Sequence, residues 1–403
     1  MTDQLTPDDV TRQRPTDRRL AALVVASAVG SWLVFRFLVV NGQHDWFDLS
    51  VYDGAVSHWE ARGITGDSLY DYLKPGTPYG FTYPPFAALL MLPMVWVGLP
   101  AAVALNLTVS AVLVAVGTAW FLRPLLRRTS WPVWAVLGTA VPLVLLSEPV
   151  RQSMAFGQVN LYLAALVLVD VAALRRGARW AGIGIGLAVA IKLTPGVLLL
   201  HLLVTRRFRA LAVAVATALG ATALAALVSP ASAERFWTQA LWETDRVGKV
   251  DITDNQSLLG LLSRLVGGAA HPPHLLWAVL AAAVVAVGLV RGLQAHRAGD
   301  DVTGFVLVGI VGGLVSPISW THHLWPLTAA ALLLVVRGGR SATRGAVAVG
   351  AVLALGVNWW ANGPDAALRG LGPITVLVEN AYVWLALVLL VTLPTRPREP
   401  ITA

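Results

Sequence analysis

The sequence predicts an all-α polytopic membrane protein. Hydrophobic residues make up 56% of its 403 residues and charged residues only 13%, whereas about a quarter of a soluble domain is charged. Apolar runs of about twenty residues, the length of a membrane-spanning helix, recur along the whole chain. Because these runs are continuous and do not alternate with polar residues, they argue against a transmembrane β-barrel.

The first element in the chain is a polar segment, residues 1–18, which we expect to be a disordered cytoplasmic tail. The apolar run that follows has no obvious small-residue cleavage site, so we interpret it as a retained helix and not as a signal peptide. No clear internal repeat, soluble segment or low-complexity linker follows it. We therefore expect residues 19–395 to form a single transmembrane domain.

Arginine-rich loops alternate with loops that are richer in acids and tryptophan. The positive-inside rule assigns the arginine loops to the cytoplasm, so the formal charge of +8 reflects orientation and does not indicate a nucleic-acid partner. The opposite, outer loops are at about 43–83, 148–157, 229–273, 316–322 and 361–372. The spans between the loops are 20–41, 100–122, 131–147, 158–174, 207–228, 274–292, 302–318, 323–336, 345–360 and 373–393.

Two apolar stretches do not fit a single crossing. Residues 180–205 lie between two arginine loops, so we expect them to enter the membrane and return as two short helices, broken at Lys192–Gly196. Residues 85–98 are expected to dip partway into the membrane or to lie along it. The total is about twelve crossings with both termini inside. In the first outer loop, the spacing of Val51, Ala55 and Trp59 predicts a helix at the membrane interface.

Several polar residues converge on the outer side of this topology. Polar groups beside membrane spans are costly and are often functional. They are Asp48, Arg151, Gln152, Gln158, Asn160, Lys192, Asn255, Gln256, His322 and His323, with Arg36 as a further candidate.

Asp48 is the strongest candidate for a catalytic group. Partial burial beside Trp46 and Phe47 would raise the pKa of its carboxyl and hold it near a substrate hydroxyl, as a general base requires. An equally good interpretation of Asp48 is the N-cap of the helix that follows.

Lys192 needs an anionic partner at its depth, and a lipid phosphate is a natural one. The alternatives are snorkelling to the surface or an ion pair with an acid. The amides of Gln158, Asn160, Asn255 and Gln256 suit sugar hydroxyls, although each could instead cap a helix. Tyr83 begins a rigid helix entry with the two prolines that follow it.

The chain is not expected to bind a metal or another cofactor. It has no cysteine, and the adjacent pair His322–His323 points in two directions on a helix. One of these histidines could contact a phosphate or a sugar while the other packs. Glu243 and Asp245 are more typical of a solvated loop, although Asp45 and Asp48 could share an ion.

Six short motifs occur in an order that resembles glycosyltransferase family 87. They are Asp48-Leu49-Ser50-Val51-Tyr52, Phe81-Thr82-Tyr83-Pro84-Pro85, Gly157-Gln158-Val159-Asn160, Lys192-Leu193-Thr194-Pro195, Asn255-Gln256-Ser257 and Ser319-Trp320-Thr321-His322-His323. The family contains membrane enzymes of the GT-C type, among them polyprenyl-phosphate-mannose-dependent α-1,2-mannosyltransferases of actinobacteria. The similarity runs from about residue 20 to 390.

The resemblance implies a GT-C catalytic domain in the bacterial plasma membrane with an extracytoplasmic active site. Asp48 would be the general base, with Asp45 ranked second, and Lys192 and His322 would lie near the donor phosphate. The donor would be a sugar on polyprenyl phosphate, transferred with inversion to a glycolipid or polysaccharide acceptor. Lipid-linked arabinose is an alternative donor, and a lipid-linked-sugar transporter or flippase is an alternative function, although transporters usually show internal repeats.

Overall fold

A computed structural model describes residues 17–36, 45–243, 246–268, 272–361, 368 and 370–395. Within these ranges the protein is helical and has no β-strand, which confirms the predicted all-α class; two isolated antiparallel bridges join Leu73 to Gly80 and Asn255 to Trp320. Residues 1–16 of the predicted tail lie outside the described residues, and helix α1 already begins at Asp17. The C-terminal part of the predicted span 20–41, parts of the outer loops 43–83, 229–273 and 361–372, and Asp245 lie outside them as well.

The helices follow the chain in this order: α1 (Asp17–Phe35), α2 (Phe47–Ala61), α3 (Pro85–Met91), α4 (Pro93–Val97), α5 (Leu99–Arg128), α6 (Val133–Leu146), α7 (Glu148–Phe156), α8 (Asn160–Arg175), α9 (Ile183–Ile191), α10 (Val197–Val204), α11 (Phe208–Val228), α12 (Pro230–Arg235), α13 (Leu258–Leu265), α14 (His274–Arg297), α15 (Asp301–Val315), α16 (Trp325–Arg337), α17 (Gly339–Leu355), α18 (Pro373–Glu379) and α19 (Ala381–Thr392).

Three described helices, α5, α11 and α14, are long and apolar enough to cross a membrane. Two bent pairs, α6 with α7 at 68° and α18 with α19 at 71°, raise the number to five if each pair is one span. The structure therefore shows a membrane protein with at least three candidate spans among the described residues, and about twelve crossings stays a prediction.

Residues 148–156 of the predicted outer segment 148–157 form helix α7, and the outer position of this segment stays a prediction. No apolar run marks this helix in the sequence, because Glu148, Arg151 and Gln152 interrupt the hydrophobic pattern. Pro149 stands at the start of the helix, where a missing backbone N–H costs nothing. Helix α17 begins at Gly339, before the predicted span 345–360, so Arg340 and Arg344 lie in its first turns and not in the loop between the two predicted spans.

The helix predicted from the spacing of Val51, Ala55 and Trp59 is confirmed as α2. Its apolar face is buried against protein, in a cluster with Tyr70 and Phe236, and not left for lipid. This packing holds the first outer segment against α3, α4 and α5.

The broken hairpin at residues 180–205 is also confirmed. Helix α9 ends at Ile191, Lys192 has an extended backbone, and a single 3₁₀ turn over Thr194–Gly196 leads into α10. Pro195 has no backbone N–H to donate to the carbonyl of Ile191, so the hydrogen-bond pattern of α9 cannot continue through this segment. The interruption leaves the Lys192 side chain between helices and beside a cavity.

Single-cysteine labelling tests the predicted orientation, since the chain has no cysteine of its own. Thr65 follows α2, Ser341 lies in α17, and both are exposed. With an impermeant maleimide on intact cells, we expect Thr65→Cys to be labelled and Ser341→Cys to be labelled only after permeabilisation. The reverse pattern would invert the topology.

Candidate active site

Six of the sequence-predicted residues line one cavity of about 490 Å³ beside the N-terminus of α2. They are Asp48, Tyr83, Gln158, Lys192, His322 and His323. They come from five separate segments of the chain, so only the fold brings them together. Tyr52, Arg246, Asp254 and Trp320 also line the cavity.

Asp48 is the second residue of α2, not its cap. Trp46 occupies the cap position in a left-handed conformation and makes no side-chain cap, so the N-cap interpretation is wrong. Asp48 Oδ2 instead accepts a hydrogen bond from Gln158 Nε2 at 2.6 Å. The backbone N–H groups of the first turn favour a carboxylate at this position.

Gly157 allows this contact. It ends α7 with φ of +71°, and a Cβ atom built on it would lie 2.5 Å from Leu49 Cβ. Both the left-handed backbone and the close approach require glycine. The first position of the motif Gly157–Asn160 thus lets α2 approach α8 closely enough for Gln158 to reach Asp48.

Tyr83 connects the acidic and basic sides of the cavity. Its hydroxyl donates to Gln158 Oε1 at 3.0 Å, lies 2.9 Å from the Tyr52 hydroxyl and is 3.4 Å from Lys192 Nζ. Pro84 and Pro85 begin α3 immediately afterwards, which confirms the rigid helix entry and fixes the tyrosine.

Lys192 is held by two side chains. Its amine donates to Asn160 Oδ1 at 3.1 Å and lies 2.8 Å from His323 Nε2. The Trp320 backbone N–H donates to His323 Nδ1 at 3.2 Å and orients the ring. The Lys192 amine and the His323 ring thus meet at one point of the wall, where the cation suits an anion. His323, and not His322, makes the contact with Lys192.

The electrostatics of Asp48 suit a base. Burial raises the pKa of the Asp48 carboxyl to about 6, while the hydrogen bond from Gln158 and the charges of Lys192 and Lys74 act in the opposite direction. A carboxylate with a pKa near 6 is ionised at neutral pH and accepts a proton more readily than an exposed aspartate.

Asn255 and Gln256 do not face the cavity, so their predicted contact with sugar finds no support in their positions. Both side chains are fully buried and bonded to backbone groups. Asn255 Nδ2 donates to the carbonyls of Val250 and Pro317, and its Oδ1 accepts from the Ser319 N–H at 2.8 Å. Gln256 Nε2 donates to the carbonyls of Thr253 and Glu379. The cap in this motif is Ser257, which accepts from the Gly260 N–H.

The remaining candidates also lie away from the cavity lining. Arg151 and Gln152 belong to α7, and Asn160 stands behind Lys192. Arg36 and Asp45 are exposed. Since Asp45 does not line the cavity, a metal shared by Asp45 and Asp48 has no support, and the described ranges contain no group of three or more His, Asp or Glu that could hold an ion.

Asp254 is the residue that the sequence analysis missed. It lines the same cavity as Asp48, and the Thr321 hydroxyl donates to its Oδ1 at 3.4 Å. Burial, together with the charges of Glu148 and Asp48, raises the pKa of Asp254 to about 7. The available signal was its place directly before the buried pair Asn255–Gln256.

An apolar crevice continues from the basic end of the cavity. It shares Lys192, Thr194 and His323 with the cavity, and Asn160 lines the crevice alone. Its other walls are apolar faces of α8, α10, α15 and α16, including Leu163, Val167, Leu198, Phe305 and Trp325. Its volume of about 80 Å³ admits only a short apolar segment beside Lys192.

Comparison with known proteins gives a consistent result. The family model of glycosyltransferase family 87 matches residues 81–317. A polyprenol-phosphate-mannose-dependent alpha-(1-2)-phosphatidylinositol pentamannoside mannosyltransferase of Mycolicibacterium smegmatis is 33% identical, over 85% of this chain and 82% of its own. Polyprenol-phosphate-mannose-dependent alpha-(1-2)-phosphatidylinositol mannoside mannosyltransferases of M. smegmatis and Mycobacterium tuberculosis are 31% and 32% identical, over 95% and 70% of this chain and 92% and 68% of theirs. No solved structure matches the chain.

Replacing Asn255 should destabilise the wall that carries Asp254. Asn255→Ala leaves the Ser319 N–H and the Val250 carbonyl without their side-chain partner, at a cost of about 2 to 4 kcal/mol in unfolding free energy. Thermal unfolding of the detergent-purified protein measures the change. Gln239→Ala, at an exposed position, is the control and should leave the melting temperature unchanged. Equal melting temperatures for the two variants would contradict the scaffold role.

Proposed function

Because the chain belongs to glycosyltransferase family 87, we propose that it transfers mannose from polyprenyl phosphate to a phosphatidylinositol mannoside. The family makes it a membrane glycosyltransferase, and the names of its relatives favour mannose over arabinose and a glycolipid over a polysaccharide acceptor. One observation carries the mechanism: a single cavity joins a base of raised pKa, Asp48, to a basic pair, Lys192 and His323. The transporter alternative loses its support.

In this mechanism Asp48 takes the proton of an acceptor hydroxyl. The hydroxyl oxygen forms a bond to the anomeric carbon of mannose as the bond from that carbon to the phosphate oxygen breaks. The electron pair leaves with polyprenyl phosphate, and attack opposite the leaving group inverts the anomeric centre. Gln158 orients the carboxylate for this step through its 2.6 Å hydrogen bond.

Lys192 and His323 would bind the donor phosphate. Lys192 Nζ and His323 Nε2 lie 2.8 Å apart at the cavity wall, and the Tyr83 hydroxyl lies within 3.4 Å of the amine. A lipid monophosphate carries less charge than the diphosphate of a nucleotide sugar, so one ammonium and neighbouring N–H donors can stabilise it as a leaving group. We therefore propose a reaction that needs no divalent metal or other cofactor.

The first part of the polyprenyl chain would enter the apolar crevice that begins at Lys192, and the rest of the chain would lie in the surrounding bilayer. The crevice lining from α8, α10, α15 and α16 excludes charged groups other than Lys192, so it offers hydrocarbon the environment that it has in the bilayer. The donor would then approach from the membrane side, with its sugar directed toward Asp48.

The proposed setting is a single GT-C catalytic domain over residues 19–395, with about twelve transmembrane helices, in the bacterial plasma membrane. The loop that carries Asp48 has many acids and few basic residues, which supports an extracytoplasmic active site.

Asp48→Asn should abolish transfer and preserve donor binding. The amide keeps the shape of the side chain but cannot take the proton, and loss of a general base typically costs ~10²–10⁴ in rate. Transfer of labelled mannose by the purified variant measures the loss. Asp45→Asn, at an exposed position outside the cavity, is the matched control and should retain activity. A fully active Asp48→Asn would rule out the base.

Lys192→Gln should weaken donor binding by tenfold or more, since a charge-assisted hydrogen bond contributes roughly 1.5–3 kcal/mol. Affinity for a non-hydrolysable polyprenyl phosphonate mannose measures this effect. Lys74→Gln removes another cation near Asp48 that does not line the cavity, and it should bind the analogue normally. Unchanged affinity in Lys192→Gln would overturn the phosphate assignment.

A further inference from the structure

We propose that Asp254 and Trp320 form a subsite for the acceptor's sugar, with the carboxylate accepting hydrogen bonds from two neighbouring hydroxyls and the indole packing on the apolar face of the pyranose. This inference rests on the proposed transferase function and assigns to it a second group of substrate-binding residues.

The two side chains occupy one wall and are fixed relative to each other. Both line the cavity, and the antiparallel bridge between Asn255 and Trp320 holds their two loops together. The Gln256 N–H donates to the Ser319 carbonyl at 2.7 Å, which reinforces this pairing. Thr321, opposite Asp254, donates to its carboxylate.

Gly248 determines where the indole lies. A Cβ atom on this glycine, whose φ is +147°, would approach the Trp320 ring to 2.7 Å. The ring therefore packs directly on the backbone of the loop before Asp254, and Trp320 remains partly exposed at the cavity. A rigid aromatic plane beside a carboxylate suits a sugar, which has both an apolar face and hydroxyl donors.

The connections of the cavity favour the acceptor over the donor. At one end, Lys192 and His323 border the apolar crevice. At another, Asp254 and Ile252 border an open, polar pocket of about 560 Å³ that is also lined by Asp251, Arg264, Trp359 and Glu379. A glycan headgroup that enters through the polar pocket meets Asp254 first. If Asp254 lay beside the donor instead, its carboxylate would repel the donor phosphate.

Steady-state kinetics of the full-length enzyme in detergent separates the two substrates. With polyprenyl phosphate mannose and a phosphatidylinositol mannoside, Asp254→Asn and Asp254→Ser should raise the acceptor KM at least tenfold. The donor KM should stay within twofold and kcat within about threefold. Lys249→Gln, exposed on the same loop and outside both the catalytic cavity and the polar pocket, is the control and should change neither KM. Trp320→Ala should resemble Asp254→Asn, and Trp320→Phe should restore most of the acceptor affinity.

Three results would overturn the proposal. A raised donor KM with an unchanged acceptor KM assigns the subsite to the donor sugar. A lower kcat with both KM values unchanged places Asp254 at the reacting atoms. Unchanged kinetics in both Asp254 variants removes any role in binding.

A binding experiment makes failure of this proposal distinguishable from failure of the proposed function. A soluble mannobioside, titrated into the purified enzyme and followed by ligand-detected NMR, should bind the parent protein and Asp48→Asn equally. It should bind Asp254→Asn at least tenfold more weakly. Equal binding by the parent and Asp254→Asn refutes the subsite whether or not the enzyme turns over, whereas an inactive parent that still binds in the expected order refutes only the transferase chemistry.

Discussion

Gln158, at the junction of α7 and α8, donates a hydrogen bond to Asp48 of α2, which lies 110 residues away in sequence. Polar groups removed from water must be paired, and here the pairing continues from Gln158 through Tyr83 to Lys192. Each member restricts the next, so the positions of α2, the α7–α8 junction and the broken α9–α10 hairpin are coupled. The candidate base and the candidate phosphate-binding cation thus belong to one hydrogen-bonded unit.

Breaks in regular helices supply most of the groups in this unit. Lys192 follows the end of α9, Gln158 lies between α7 and α8, and His323 lies in a 3₁₀ turn before α16. A side chain within an uninterrupted apolar helix faces either lipid or another helix. At a break, backbone groups and polar side chains can instead turn toward an internal cavity, which is where irregular backbone is tolerated in membrane proteins.

The two walls of the cavity differ in chemistry, and this difference matches the two substrates of a lipid-linked sugar transferase. The wall around Lys192 opens to an apolar crevice, whereas the wall around Asp254 opens to a polar pocket. Asp48 lies in the cavity that both openings share. In the proposed mechanism, this arrangement would let an amphipathic donor and a hydrophilic headgroup reach the candidate base Asp48 by separate routes.

The sequence by itself determined the helical membrane class, the helix α2 and the break at Lys192–Gly196, because composition, periodicity and proline act locally. It also indicated Asp48 as the candidate base, which stays a prediction. The sequence could not show which side chains contact one another. Only the tertiary structure decided three further points. Asn255 and Gln256 brace two loops, whereas Gln158 holds the carboxylate. His323 contacts Lys192, and the segment 148–156 is a helix. Identical amides differ in role because burial and neighbours depend on contacts between distant segments. For the same reason Asp254, one acid among several in its loop, became recognisable only in the folded chain.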